Sequence, residues 1–201
     1  MFDERVRQQI APWLRRPAAV LGQLGVSPNQ LTVVAFLLAG AAATLVATGW
    51  VWVGMAVWLA SRLLDALDGL VARGHGRATA FGGFLDITLD MAAYSLMIVG
   101  FAIQHPDPHL AWLLILVGYV LCITTTAVLS SSLEQRRATV AGNDRSLQFT
   151  PGLAEAGETT IAYLLFALLP AWVAPLAWIW AAVLMYTAAQ RTLLASRLLR
   201  D

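Results

Sequence analysis

Four aspartates, Asp65, Asp68, Asp86 and Asp90, stand in one otherwise apolar stretch, DALDGLVARGHGRATAFGGFLDITLD. Ionisable groups in surroundings fit for a membrane are costly to bury and mark function. Asp65, Asp68, Gly69, Ala72 and Arg73 fall at i, i+3, i+4, i+7 and i+8, one stripe of an α-helix. Thr79, Gly82, Gly83, Asp86 and Asp90 form a second stripe at i, i+3, i+4, i+7 and i+11. Two helices joined by the turn GHGR would each present two carboxylates to a shared cleft whose remaining lining is small. Four oxygen donors suit a hard divalent cation, Mg²⁺ or Mn²⁺, which takes carboxylate ligands and keeps positions open for substrate phosphates. Zinc, with its preference for nitrogen and sulfur, is disfavoured.

The elements that position these acids follow from composition. The chain has 201 residues, of which 59% are hydrophobic and 12% charged, where soluble domains carry about a quarter charged residues. This predicts an all-α integral membrane protein, one domain over 1–201, with no room for a soluble unit and nothing pointing to nucleic acid. Residues 1–26 read as a juxtamembrane segment and 27–201 as a bundle of six transmembrane helices. Phe2, Val6, Ile10, Trp13 and Leu14 alternate with Asp3, Glu4, Arg5, Arg7, Arg15 and Arg16 in an amphipathic pattern interrupted by Pro12, an N-terminal surface helix lying on lipid headgroups. It is not a signal peptide, because the apolar run after the basic residues is short and broken by Pro17, Gly22 and Gly25.

Ser27 is an N-cap and Pro28 fits the first helical position. The spans then read Leu31 to Thr48, Trp50 to about Ala72 after the turn at Gly49, about Ala80 to Gln104, Leu110 to about Leu133 after HPDPH, Ala154 to Leu169 after the polar connection EQRRATVAGNDRSLQFTPG, and Leu176 to about Leu194. Each is near the length a bilayer demands. The lone Cys122 excludes an intrachain disulfide and reads as a small buried hydrophobe.

Every basic residue is Arg, and the arginines cluster before span one, between spans two and three (Arg73, Arg77), between four and five (Arg136, Arg137, Arg145) and at the C-terminal end (Arg191, Arg197, Arg200). The positive-inside rule therefore puts both termini and the turn between the two acidic helices in the cytoplasm, at the inner membrane if the source is bacterial. Asp65, eight residues from Arg73, lies roughly 12 Å or less below that interface at about 1.5 Å per residue. Only Arg62 departs from the pattern, inside span two one turn before Asp65.

Written D-x2-D-G-x2-A-R-x8-G-x3-D-x3-D, with Asp65, Asp68, Gly69, Ala72, Arg73, Gly82, Asp86 and Asp90 at the fixed positions, the stretch resembles the signature of the CDP-alcohol phosphotransferases. The six spans, the surface helix and Pro28, Asn29, Leu31 and Thr32 at the entry to span one are similar to that family too, while the last third matches in topology only. The resemblance implies two divalent ions on Asp65, Asp68 and Asp86, binding the diphosphate of a CDP-linked donor, with CDP-diacylglycerol the expected one. It implies Asp90 as general base for an alcohol acceptor and as a further metal contact, and release of CMP. Gly69 and Ala72 would let the nucleotide lie close, Arg73 would face its phosphates, and Asn29, Thr32, Thr79 and Gly82 would stand beside it. It also implies a homodimer.

The signature does not name the alcohol. Arg136, Arg137 and Arg145 offer a phosphate site, which would favour a phosphorylated polyol such as glycerol 3-phosphate or inositol phosphate, although positive-inside anchoring predicts arginines there regardless. Arg62 is a further acceptor candidate and equally a charge partner for Asp65 on its own helix. Glu155 and Glu158, with Thr159, open span five as macrodipole partners or as contacts to acceptor hydroxyls. Ser130 to Ser132 and Thr124 to Thr126 fit helix packing or the cleft. His75 reads as solvated, and His105 and His109 as lying across the membrane from the acids. The competing function is a divalent-cation transporter using the same carboxylates; its midplane sites and inverted repeats have no counterpart here.

Overall fold

The computed structural model describes residues 2–74, 76–140 and 156–199. They form α1 (Phe2–Gln23), α2 (Pro28–Ala47), α3 (Val51–Gly74), α4 (Ala80–Gln104), α5 (His109–Val140), α6 (Ala156–Leu168), a 3₁₀ turn (Pro170–Trp172) and α7 (Val173–Leu198), with no strand among them. Among the described residues, four segments are long and apolar enough to cross a membrane: Pro28–Ala47, Ala80–Gln104, His109–Leu133 and Pro170–Leu198. The helix α3 has the length but carries Arg62, Asp65, Asp68 and Arg73, and α6 has 13 residues.

Small residues decide how the first group of helices assembles. Ala35, Ala39, Ala42 and Ala43 make a buried stripe along α2, and α3 and α4 both pack on it. A Cβ at Gly100 would meet the Ala43 carbonyl oxygen at 2.5 Å, and one at Gly54 would meet that of Ala42 at 2.9 Å. Glycine at both positions therefore lets α4 and α3 approach the α2 backbone, the usual device for joining helices where lipid removes the hydrophobic drive. The helices α5 and α7 pair along their length, α6 lies on α7, and α4–α5 and α3–α6 contacts join the two groups.

A chain of hydroxyls fastens that joint. Trp180 Nε1 donates to the Tyr119 hydroxyl (3.2 Å), Tyr119 and Tyr163 hydroxyls bond at 2.9 Å, and Tyr163 donates to the Tyr94 carbonyl (2.8 Å). All four residues are buried, so each bond satisfies groups with no access to water. At the surface, Trp50 and Trp52 are exposed at the start of α3, the end away from Asp65 and Asp68, as interfacial aromatics are.

Ser27 and Pro28 open α2 as expected: Ser27 N donates to Gln30 Oε1 at 3.0 Å. Gly49 makes the next turn with φ +89°. Three boundaries differ from those expected of the sequence. Pro12 does not interrupt the N-terminal helix, which runs through Pro12 and Pro17 to Gln23. A proline inside a helix costs about 3 kcal/mol, and the helix persists because Leu14 and Ala18 are buried against Leu31, Leu67 and Val71 of α2 and α3. The helix α5 continues past Glu134 to Val140, so the polar connection begins later than expected. The last helix starts at Val173, with Pro175 in its first turn, where proline's missing donor is harmless.

Candidate active site

The C-terminal half of α3 and the N-terminal halves of α2 and α4 meet at one end of the first helix group. There Asp65, Asp68 and Asp86 each offer an oxygen, all within 4.8 Å of one another. Asp68 is buried at 5% exposure, and the Thr32 hydroxyl of α2 donates to its Oδ2 at 2.6 Å. Three carboxylates so close repel by roughly 3 kcal/mol per ionised pair at an effective dielectric near 20. A cation relieves this, and an all-oxygen set fits Mg²⁺ or Mn²⁺. Each helix contributes through its phase: Asp65 and Asp68 sit one turn apart on α3, while Asp86 stands two turns into α4.

Asp90, one turn beyond Asp86, belongs to a different arrangement. Its Oδ1 forms an ion pair with Arg62 Nη1, and the same nitrogen lies 3.9 Å from Asp65 Oδ2. Arg62 lies with its guanidinium carbon 4.5 Å from the Trp58 ring centroid and 5.1 Å from that of Tyr94. Such cation–π contacts contribute about 2 kcal/mol or more when desolvated. Arg62 Nη2 also donates to Ser61 Oγ (3.1 Å), which donates to the Ala35 carbonyl of α2 (2.8 Å). The expected pairing of Arg62 with Asp65 on its own helix is thus the longer contact, and Asp90 across the interface is the closer partner. Helical periodicity carries no information about a partner on another helix.

The residues expected beside a nucleotide cluster around the same end. A Cβ on Gly82 would lie 3.0 Å from both Asn29 Oδ1 and Thr79 Oγ1, so Asn29 of α2 faces the start of α4 at a position where an added methyl would crowd both side chains. Thr79 N-caps α4, accepting from Gly82 N at 3.0 Å. The Arg73 guanidinium folds over Gly69, 3.1 Å from where a Cβ would stand. Ala72 follows on that stripe, half-buried. Two helix N-termini, α2 and α4, end here, and their dipoles favour a bound anion.

On the acceptor side, Arg145, His75 and Glu155 lie outside the described residues, as do the side chains of Arg136 and Arg137. Glu158 is in the first turn of α6, with one buried carboxylate oxygen lacking a hydrogen-bond partner. Thr126 and Thr125 bond carbonyls of their own helix, Thr126 to Cys122 (2.8 Å) and Thr125 to Leu121 (2.7 Å). Arg191 is a residue that sequence reasoning takes only as a topology signal. It is 8% exposed, donates from Nη1 to the Cys122 carbonyl (3.1 Å) and leaves Nε without a partner. The available signal was its place inside the last expected span, Leu176 to about Leu194.

Residues 25–193 match the CDP-alcohol phosphatidyltransferase family. The chain is 34% identical over 178 residues to inner membrane protein YnjF of Escherichia coli, covering 87% of this chain and 85% of that one. It is 30% identical over 164 residues to archaetidylinositol phosphate synthase of Methanothermobacter thermautotrophicus, covering 81% and 77%. Among solved structures, phosphatidylinositol phosphate synthase of Mycobacterium tuberculosis with CDP-DAG bound aligns with a TM-score of 0.64 at 25% identity, covering 90% of this chain and 92% of that one. A match of that extent, over a chain that gathers three of its four signature aspartates at one point, makes this protein a member of the CDP-alcohol phosphatidyltransferase family.

Proposed function

We propose that the protein transfers a phosphatidyl group from CDP-diacylglycerol to a hydroxyl of inositol phosphate or a like phosphorylated polyol, releasing CMP. The observation that carries this is the three-carboxylate group at the meeting of α2, α3 and α4. The names of the relatives, which include synthases of inositol-phosphate lipids, and the CDP-DAG bound in the M. tuberculosis enzyme support the choice of donor and acceptor. The ion-pathway alternative finds no support, since the acids stand at one end of α3 and α4 in a chain of a transferase family.

Mg²⁺ or Mn²⁺ on Asp65, Asp68 and Asp86 would supply positive charge to the donor diphosphate and the departing CMP. The N-termini of α2 and α4 and Arg73 hold the diphosphate, and Asn29, Thr79 and Gly82 shape the nucleotide's place. Asp90 accepts the proton of the acceptor hydroxyl as its oxygen bonds the phosphatidyl phosphorus and the bond to CMP breaks. Arg191, with Arg136, Arg137 and Arg145, binds the acceptor's phosphate. The resemblance implies a second ion on the same three aspartates with Asp90 as a further contact, and in this structure Asp90 is paired with Arg62. We also read α2 to α7 as six crossings of a single membrane domain, α1 as lying on the membrane surface, the site and both termini as cytoplasmic, and the assembly as a homodimer.

The test is CMP release by purified protein from CDP-diacylglycerol with a panel of acceptors. Inositol phosphate should exceed free inositol and serine by about tenfold or more, the scale set by one charge-assisted phosphate contact. Arg191→Gln should raise the acceptor KM by a similar factor and leave the donor KM unchanged. Equal rates with serine and inositol phosphate would overturn the acceptor assignment.

A further inference from the structure

We propose that Arg62, which stands outside the signature, is a catalytic residue: its guanidinium donates to the non-bridging oxygens of the phosphate being transferred and stabilises the charge that gathers there as the acceptor attacks. The inference rests on the transfer reaction proposed above, with Asp90 as the group that takes the acceptor's proton.

The reaction fixes where the phosphate must lie. The acceptor oxygen bonds the phosphatidyl phosphorus, its proton passes to Asp90, the bond from that phosphorus to the CMP oxygen breaks, and CMP leaves with the electron pair. An oxygen that gives its proton to Asp90 lies within about 3 Å of that carboxylate, and the phosphorus it attacks stands roughly 3–3.5 Å beyond. Arg62 Nη1 is bonded to Asp90 Oδ1 and lies 3.9 Å from Oδ2 of Asp65, one of the three grouped carboxylates. The guanidinium therefore borders the gap between the proton acceptor and the metal group, where the phosphorus has to pass.

Asp90 is not all that holds it there. The guanidinium carbon is 4.5 Å from the Trp58 ring centroid and 5.1 Å from that of Tyr94, two buried rings packed edge to face. Its Nη2 donates to Ser61, itself buried and bonded to the Ala35 carbonyl. An Asp90 carboxylate that turns to an ion leaves the guanidinium on this seat, with Nη1 released toward the phosphate. Further donors stand beside it, since Arg62 Nε, the Tyr94 hydroxyl and Trp58 Nε1 are buried without a hydrogen-bond partner. A fixed buried charge with donors unspent suits a step that builds negative charge on phosphate oxygens, because nothing has to reorganise as that charge forms. Arginine also offers a planar fork that spans two oxygens at once.

The test is CMP release at saturating CDP-diacylglycerol and inositol phosphate, beside direct titrations of Mn²⁺ and of donor. Arg62→Met keeps the stem against the rings and removes the charge. Its kcat should fall about 100-fold or more, the scale of losing one preorganised donor, while Mn²⁺ affinity, donor Kd and acceptor KM weaken by no more than about threefold. Arg62→Lys, with a charge but no fork, should fall between Arg62→Met and wild type. If Arg62→Met does not fold, judged by its elution on size exclusion, Arg62→Lys decides: a kcat about tenfold or more below wild type supports the role, and a wild-type rate overturns it. A folded Arg62→Met with kcat within about tenfold of wild type, or one that loses Mn²⁺ or donor binding in proportion to its rate, would overturn the catalytic role. So would a raised acceptor KM at unchanged kcat, which marks an acceptor contact instead. A wild type that releases no CMP with any acceptor of the panel would remove the transfer reaction itself, and this inference with it.

Discussion

The Thr32 hydroxyl fixes one oxygen of Asp68 and with it the shape of the three-carboxylate group. Groups that orient a metal ligand typically control affinity by 10- to 100-fold. Thr32→Val, of nearly the same volume, should therefore weaken Mn²⁺ binding by about that factor in a direct titration while the fold survives; a change under about threefold would show that the hydroxyl orients nothing. At this scale the spacing of the signature put Asp65 with Asp68 and Asp86 with Asp90, one pair on each helix, and that much the structure bears out. It did not separate Asp86 from Asp90, which share a stripe of α4 one turn apart. What separates them is Arg62, approaching from α3. Arg191 escaped notice for a related reason: an arginine near a chain's end satisfies the positive-inside rule, and only packing shows that it is buried.

Between elements, the contacts that matter are those where a side chain is missing. Gly100 abuts the Ala43 carbonyl so closely that an added methyl must push α4 from α2. Gly100→Ala should destabilise the protein by about 1–3 kcal/mol, as overpacking does, read as a lower Tm in detergent. Gly83, with open space around it, provides the control: there alanine should be neutral or raise stability by about 0.5–1 kcal/mol through its better helix propensity. Equal effects at the two positions would refute the close approach. Helix boundaries were legible where local chemistry sets them, as at Ser27–Pro28, Gly49 and HPDPH. They were not where tertiary contacts override it: α1 passes through two prolines because its far half is packed on α2 and α3.

For the molecule as a whole, transfer as proposed requires the carboxylate end to face the cytoplasm. With Cys122 nearly buried and so a quiet background, single cysteines at two exposed positions report sidedness. A membrane-impermeant maleimide should label Ala78→Cys, between α3 and α4, in inverted inner-membrane vesicles and Ala171→Cys, in the 3₁₀ turn, in right-side-out ones. The reverse pattern would turn the site to the other side of the membrane. The all-helical architecture was legible from composition, because nothing else so apolar spans a bilayer with its backbone satisfied. The identity of the acceptor was not, since the signature fixes the acids and leaves the contacts to the acceptor unspecified. The central claim is that Asp65, Asp68 and Asp86 hold the ion on which transfer depends. The decisive assay is CMP release from CDP-diacylglycerol and inositol phosphate in proteoliposomes, comparing wild type with Asp86→Asn across a Mn²⁺ series. Release by the wild type should stop on chelation, and the variant should lose about a thousandfold or more, on the order of 4 kcal/mol of barrier; turnover by Asp86→Asn within about tenfold of wild type would contradict the claim.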